Sequence, residues 1–414
     1  SGGWTMRYTD IVKPSTFAND AYFQALSADI RKNDPLAWIE TESHKPFWVV
    51  SKHADILEIE RQHDKFLNTA QSVLQTKKVE KQIEESGQGQ LLRTLIHMDD
   101  PDHKKFRALT KEWFMPLNLQ KIEGRIKDLA KKTVDQMREM GGELDFVSDV
   151  TVWYPLRVIM MILGVPPEDE PLMLKLTQEL FGAEDPDLRR KAVSEEDRMQ
   201  TITEFFAYFS AMTEDRRKSP GDDVASVIAN ATVDGKQIGD LEAMSYYIII
   251  ATAGHDTTSS AAAGGVQALA SSPRELKKMV DNPSISNLAV EEAIRWVSPV
   301  KHFMRYATEN YSLRGKEIKT GDALMMLYPS GNRDEEVFQK PQNFIADRKP
   351  NRHLAFGFGA HHCLGNLLAK LELKFLYEEL FSRVKNIELA GEAELVHSNF
   401  VSGLKTLPLR LSFK

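Results

Sequence analysis

Hydrophobic residues recur at helical spacing along most of this chain and alternate with polar ones in only a few short runs. Apolar positions at i, i+3, i+4 and i+7 mark one face of a helix, whereas strict alternation marks a half-buried strand. The helical pattern covers residues 102–140 and 192–218, and is longest over 241–271, where Ser272-Pro273 ends it. At ~1.5 Å per residue that last helix measures about 45 Å and crosses the whole molecule. Strand-like runs are short: Phe47-Trp48-Val49-Val50 ahead of a helical stretch from Ala54, residues 311–326 with a turn at Gly321-Asp322, and residues 387–413. Gly141-Gly142 and Pro166-Pro167 punctuate the pattern. Residues 69–96 are polar and charged and read as a surface excursion or short helix, with a solvated loop and a substrate-access segment equally open. The prediction is a mainly α protein with a minor β region.

Composition narrows the function. With 42% hydrophobic residues among 414, the chain can bury a large core. A net charge of −7 and the lack of an arginine-rich stripe argue against a nucleic acid partner. The longest apolar stretches, residues 158–165 and the run ending at 248–251, fall well short of the ~20 residues that span a bilayer. The opening Ser1-Gly2-Gly3-Trp4 has neither a basic n-region nor an apolar h-region. With a single cysteine in the chain, the expectation is a cytoplasmic protein with no membrane contact.

That cysteine, Cys363, stands in Phe356-Gly357-Phe358-Gly359-Ala360-His361-His362-Cys363-Leu364-Gly365. A lone thiol is most often a small buried hydrophobe. Here Gly357 and Gly359 permit backbone angles and close approaches that a side chain would block. From Asn366 onward the chain is rich in strong helix formers. The sulfur therefore lies just ahead of a helix start, where free N–H groups and the positive dipole end favour a thiolate. A thiolate so placed is a metal ligand. Zinc suits it poorly, because no second cysteine exists and His361 and His362 are too close in sequence to complete a tetrahedron. Haem iron needs one axial protein ligand, and thiolate is among its known choices.

Three other clusters carry chemistry. Ala253-Gly254-His255-Asp256-Thr257-Thr258 sets an acid beside hydroxyls midway along the long helix, directly after an apolar stretch. Such residues usually face solvent or bond back to a carbonyl; buried, they cost free energy unless paired or used. Glu292-Ala293-Ile294-Arg295 reads as an ordinary i,i+3 ion pair. Asp99-Asp100-Pro101-Asp102-His103-Lys104-Lys105-Phe106-Arg107 opens a helix with acids at its start and puts His103 and Arg107 on one face.

Together these segments resemble the cytochrome P450 family. Its ligand loop reads Phe-x-x-Gly-x-[basic]-x-Cys-x-Gly, positions held here by Phe356, Gly359, His361, Cys363 and Gly365, with His where Arg is commoner. Residues 253–258 are similar to the family's oxygen-activation motif, and Glu292 with Arg295 to its ExxR, with Arg348 as third member. The resemblance covers nearly the whole chain and sharpens at residues 165–178, 250–260 and 328–338 toward the subgroup that hydroxylates α-terpineol. Residues 69–96 and 185–198 diverge.

The resemblance implies a P450 fold in one unit, residues 1–414: a β-containing part to about residue 100, then a helical part from about 101 to 414 with small C-terminal β elements. Haem b (iron protoporphyrin IX) would lie between the long helix and the loop of Cys363, its iron ligand. His103, Arg107, Arg305, His353 and His361 would face the haem propionates, with Phe356 and Gly365 shaping the loop. Asp256 and Thr257 would serve oxygen activation, the acid feeding a proton relay, while Glu292, Arg295 and Arg348 would lock the region behind the haem. Pocket candidates are Ile249, Ala253, Gly254, Val300, Phe303, Met304 and Phe400, each with plain core packing as an even alternative. The implied reaction is monooxygenation of a small hydrophobic cyclic molecule, a monoterpenoid or aromatic hydrocarbon. It would use O2 and electrons from a separate iron–sulfur ferredoxin and its NAD(P)H-dependent reductase. A sterol or fatty acid P450 would share every motif, and a non-catalytic haem sensor would need no relay. Lys104, Lys105, Lys111, Arg352, Lys370 and Lys374 form either a patch that steers an acidic electron donor or a plain solvated surface.

Overall fold

In the computed structural model, residues 3–68, 71–85, 95, 98–181 and 195–414 are described. The dominant element is the helix Asp240–Ala270, within one residue of the predicted bounds at each end. Asp240 and Glu242 sit in its first turn, favourable against the positive end of the helix. After Ser272, Pro273 opens the next helix, Pro273–Asp281. The long helix packs against the helices Trp153–Leu163, Glu195–Lys218, Ser286–Val297 and Asn366–Arg383. Near its C-terminal end two glycines allow unusually close contact. A Cβ on Gly264 would collide with Val297, and one on Gly265 with Ala293 and the Tyr377 hydroxyl. That hydroxyl donates to the Ala262 carbonyl at 2.8 Å, joining two buried helices through a polar group that neither could leave unpaired.

The helical stretch predicted over 102–140 is divided into Asp102–Ala108, Pro116–Leu119 and Glu123–Glu139. Pro116 cannot donate an N–H and starts a new turn. The bend before it buries Trp113 and Phe114, which a straight helix would not place side by side against the core. The helix predicted over 192–218 is Glu195–Lys218, with 192–194 outside the described residues. In the polar segment 69–96, Lys77–Glu85 is an exposed helix, and 69–70, 86–94 and 96–97 lie outside the described residues.

The main sheet has five strands in the order Leu36–Ile39, Phe47–Val50, Ala323–Leu327, His302–Ala307, Phe66–Leu67. Ala323–Leu327 runs parallel to Phe47–Val50, and the other neighbours are antiparallel. Alternation along His302–Ala307 decides what each residue can reach. Phe303 faces the central helix, whereas Met304 packs into the N-terminal core with Ile11, Phe23, Leu26 and Phe47. Smaller sheets join Val384–Leu389, Pro408–Phe413 and Glu143–Asp145, and pair Glu394–Leu395 with Leu404–Thr406. Helix dominates. Among the described residues no helix is long and apolar enough to cross a membrane.

Candidate active site

The loop before helix Asn366–Arg383 is shaped by two left-handed glycines, Gly357 at φ +74° and Gly359 at φ +73°. A Cβ on Gly359 would also overlap the Glu60 carbonyl, so only glycine lets the loop lie on helix His53–Glu60. Glu60, fully buried, secures the contact: its carboxylate accepts from the Phe358 N–H at 2.6 Å and from the Tyr328 hydroxyl. Further along, the Cys363 N–H donates to the Phe356 carbonyl at 2.9 Å, and Asn366 Nδ2 to the Cys363 carbonyl at 2.8 Å. The sulfur is thereby fixed facing a cavity, and its open surface belongs to that cavity rather than to bulk water.

Sequence reasoning expected the helix start to favour a thiolate here. The Gly365 N–H, Arg107 and Lys370 do pull that way, but burial is the larger effect and pushes the thiol's pKa up. A metal ion in the cavity would reverse that balance, because coordination deprotonates a thiol outright.

The cavity encloses ≈ 1420 Å³ of space free of atoms, its open mouth included. Cys363, Phe356, Gly365, His103, Arg107 and His361 line one part of it. The rings of His103 and His361 stack with centroids 4.0 Å apart, and buried Arg305 lies close by, 3.7 Å from Glu60. Burial, then Arg305, His103 and Arg107, hold the His361 pKa down to about 2. Burial, then Arg107, hold His103 down to about 4. One guanidinium and two imidazoles at a cavity wall, with the Arg305 guanidinium close by, are a donor set for a dianion. With a lone sulfur and an otherwise apolar surround, they fit a haem and its two propionates.

His353 is engaged elsewhere in this structure: its Nε2 lies 2.5 Å from Glu291, which also binds Lys370 at 2.8 Å, while its ring is 6.0 Å from that of Phe356 on the cavity wall. The proposed basic patch is partly neutralised in the same manner, with Lys105 on Asp234 at 3.0 Å and Lys374 near Glu378 at 3.8 Å.

From the central helix, Ile249, Gly254, Thr257 and Thr258 line the cavity, joined by Val300 and Phe303. The side chain of Ala253 is outside the described ones. Phe400 meets Phe303 edge to face, with centroids 5.5 Å apart, instead of lining the wall, and Met304 points away. Asp256 is not on this wall of the helix. It opens onto a second cavity behind the helix. Burial raises its pKa against the pull of His255.

Behind the loop, Glu292 is wholly buried and accepts from Arg295 Nε at 2.6 Å, Arg348 Nε at 2.9 Å, the Ile345 N–H at 2.7 Å and Asn351 Nδ2 at 3.2 Å. Arg295 in turn donates to the carbonyls of Asn332 and Pro341, each at 2.9 Å. The two arginines thus tie helix Ser286–Val297 to the segment leading into the ligand loop.

Sequence reasoning missed Glu60, Tyr328 and Tyr246. Glu60 sits in the charged run Glu58-Ile59-Glu60-Arg61, which looks like solvent-facing helix, and no local signal marks it. Tyr246, hydrogen-bonded to Thr110, carries a hydroxyl pushed up to about 12 by burial and lies one helical turn before Ile249 and Ile250 on the cavity wall.

The description "Cytochrome P450" belongs to the family model that matches residues 43–389. Cytochrome P450-terp of a Pseudomonas species is 42% identical over 412 residues, covering 97% of this chain and 96% of that protein. The methyl-branched lipid omega-hydroxylase of Mycobacterium tuberculosis is 31% identical, covering 93% of this chain and 90% of its own length. The crystal structure of CYP108D1 from Novosphingobium aromaticivorans superposes with a TM-score of 0.91 at 40% identity and 98% coverage of both chains. A thiol fixed at a cavity wall near guanidinium and imidazole donors, on this fold and with these relatives, places the chain in the cytochrome P450 family, as a haem b monooxygenase.

Proposed function

We propose that this monooxygenase hydroxylates a small hydrophobic cyclic substrate, a monoterpenoid or an aromatic hydrocarbon. Electrons come in the cytoplasm from a separate iron–sulfur ferredoxin served by an NAD(P)H-dependent reductase. The observation that carries this reading is the apolar wall of Ile249, Val300 and Phe303 beside Thr257, with Phe400 backing Phe303. Such a surface selects by shape and desolvation. The 42% identity to P450-terp over nearly the whole chain supports the same substrate class.

Haem b supplies the oxidising chemistry when bound, with thiolate donation favouring O–O cleavage. Cys363 ligates the iron, and His103, Arg107, Arg305 and His361 hold the propionates by charge-assisted hydrogen bonds. Phe356 and Gly365 shape the loop around the sulfur, and Gly254 leaves room where a side chain would narrow the cavity. Thr257 holds a proton at the cavity face of the central helix, and Asp256 resupplies it from behind. Glu292, Arg295 and Arg348 keep the loop region rigid so that these groups stay in register. The surface lysines near the loop steer an acidic ferredoxin to the face behind Cys363.

Difference spectroscopy of the haem-loaded protein with α-terpineol, p-cymene, palmitic acid and cholesterol tests the substrate class. The expected result is a high-spin shift with the two small cyclic compounds, and hydroxylated product from them with ferredoxin, reductase and NADH. A shift and product with palmitic acid or cholesterol alone would overturn it.

A further inference from the structure

On the far side of the central helix lies a second cavity of ≈ 1050 Å³ of space free of atoms, its open mouth included, largely apolar but bounded also by Ser148, Ser259 and Lys405. A water needs only a little such room together with polar partners, so this space suits a hydrogen-bonded file of waters. Gly403 lets the C-terminal hairpin rest directly on Ser260, where a Cβ would collide, and that contact forms part of the cavity wall.

Two neighbouring residues of the helix face this space. His255 is 1% exposed, and its Nε2 is 2.6 Å from the Val152 carbonyl. A carbonyl only accepts, so Nε2 carries the hydrogen and donates it. Nδ1 is then left buried, with no hydrogen-bond partner among the described residues, 3.5 Å from Asp256 Oδ1. The bare ring nitrogen is buried and unsatisfied, and a proton on the Asp256 oxygen that faces it would satisfy it.

We propose that His255 is a positioning residue for Asp256: its Nδ1 accepts the Asp256 O–H, holding that acid neutral and turned toward the second cavity, whose water reloads it. This rests on the reading of Asp256 as the acid that resupplies Thr257. Each proton Asp256 gives is replaced by one from cavity water, so the pair returns to its starting charge and no electrons move. The burial that raises the pKa of Asp256 works in the same direction.

His255→Gln separates this role from packing. The glutamine amide nitrogen stands where Nε2 does and keeps the bond to Val152, but presents no acceptor at the Nδ1 position. The comparison is with Asp256→Asn in the haem-loaded protein. Three quantities are read: ferredoxin-driven turnover, its solvent isotope effect, and the infrared C=O band of the buried acid without turnover. His255→Gln is expected to keep the carbon monoxide spectrum of thiolate haem, lose about tenfold in turnover with a larger isotope effect, and shift the C=O band that Asp256→Asn removes. Wild-type turnover and an unmoved band in His255→Gln, with both lost in Asp256→Asn, would overturn the inference and leave Asp256 its role. Wild-type turnover in Asp256→Asn removes that role and the inference with it. If Asp256→Asn removes no C=O band, the acid is ionised in the folded protein and the inference falls whatever the histidine variant does.

Discussion

Replacing Glu292 by Ala takes the shared acceptor from two buried arginines at once. Arg295 is 0% exposed and Arg348 8%, so neither guanidinium can turn to water. Breaking a buried pair from one side costs about 3–5 kcal/mol, and the orphaned Ile345 N–H adds roughly 1–3 kcal/mol. Both arginines keep their bonds to backbone carbonyls, Arg295 to Asn332 and Pro341, Arg348 to Gln339 and Asn343, which softens the loss. We expect about 4 kcal/mol. At ~2.1 cal/mol/K of unfolding entropy per residue over 414 residues, that lowers Tm by about 5 °C. Calorimetry of the haem-loaded protein reads this directly. The neighbouring Glu291→Ala is the control, because its carboxylate is partly exposed in its pairs with His353 and Lys370 and should cost under about 1 kcal/mol. If Glu292→Ala melts within 1 °C of the parent, or no lower than Glu291→Ala, the assigned bracing role is wrong.

Cys363→Ser should fold yet lose the red-shifted carbon monoxide band of thiolate haem, since an alcohol is not deprotonated by iron in the same way; persistence of that band refutes the ligand assignment. His302 makes stability depend on pH. It is fully buried, donates from Nδ1 to the Asn399 carbonyl at 2.6 Å, accepts the Leu74 N–H at 2.9 Å, and burial holds its pKa down to about 4. Below its ordinary value of about 6.5 the unfolded chain takes up a proton that the folded protein refuses. Its contribution is therefore intact above pH ~6.5 and falls by roughly 3 kcal/mol on acidification toward pH 4. Urea midpoints between pH 4 and 7 should fall less steeply in His302→Phe; equal slopes would show that another group dominates acid sensitivity.

The parts of the site legible in the sequence are those whose chemistry is local. The glycines and cysteine of residues 356–365 specify a turn, a ligand and a helix start within ten positions, and Gly254 to Thr258 sit together on one helix. What the sequence does not reveal depends on partners far along the chain. Nothing near His353 announces that Glu291, 62 residues earlier, faces its ring. Met304 and Phe303 are equally apolar, and only the register against Ala323–Leu327 decides which of them turns to the cavity. Glu60 is read as surface charge until helix His53–Glu60 is seen to lie under Gly359. The C-terminal bound of the long helix is legible because its stop, Ser272-Pro273, is local, whereas the bend at Trp113 and Phe114 answers to the core behind it.

The glycine seam at Gly264 and Gly265 divides the central helix into unequal halves. Where Val297, Ala293 and Tyr377 press on the backbone, almost any side chain is excluded, and the distance between neighbouring helices cannot drift. In the half bearing Ile249 and Gly254, a Cβ on Gly254 would meet only Ile159, at an ordinary 3.6 Å. Substitutions that reshape substrate preference therefore have latitude in the first half. The second half works as a fixed datum from which every altered pocket is measured, so preference can evolve without re-solving the placement of the iron ligand.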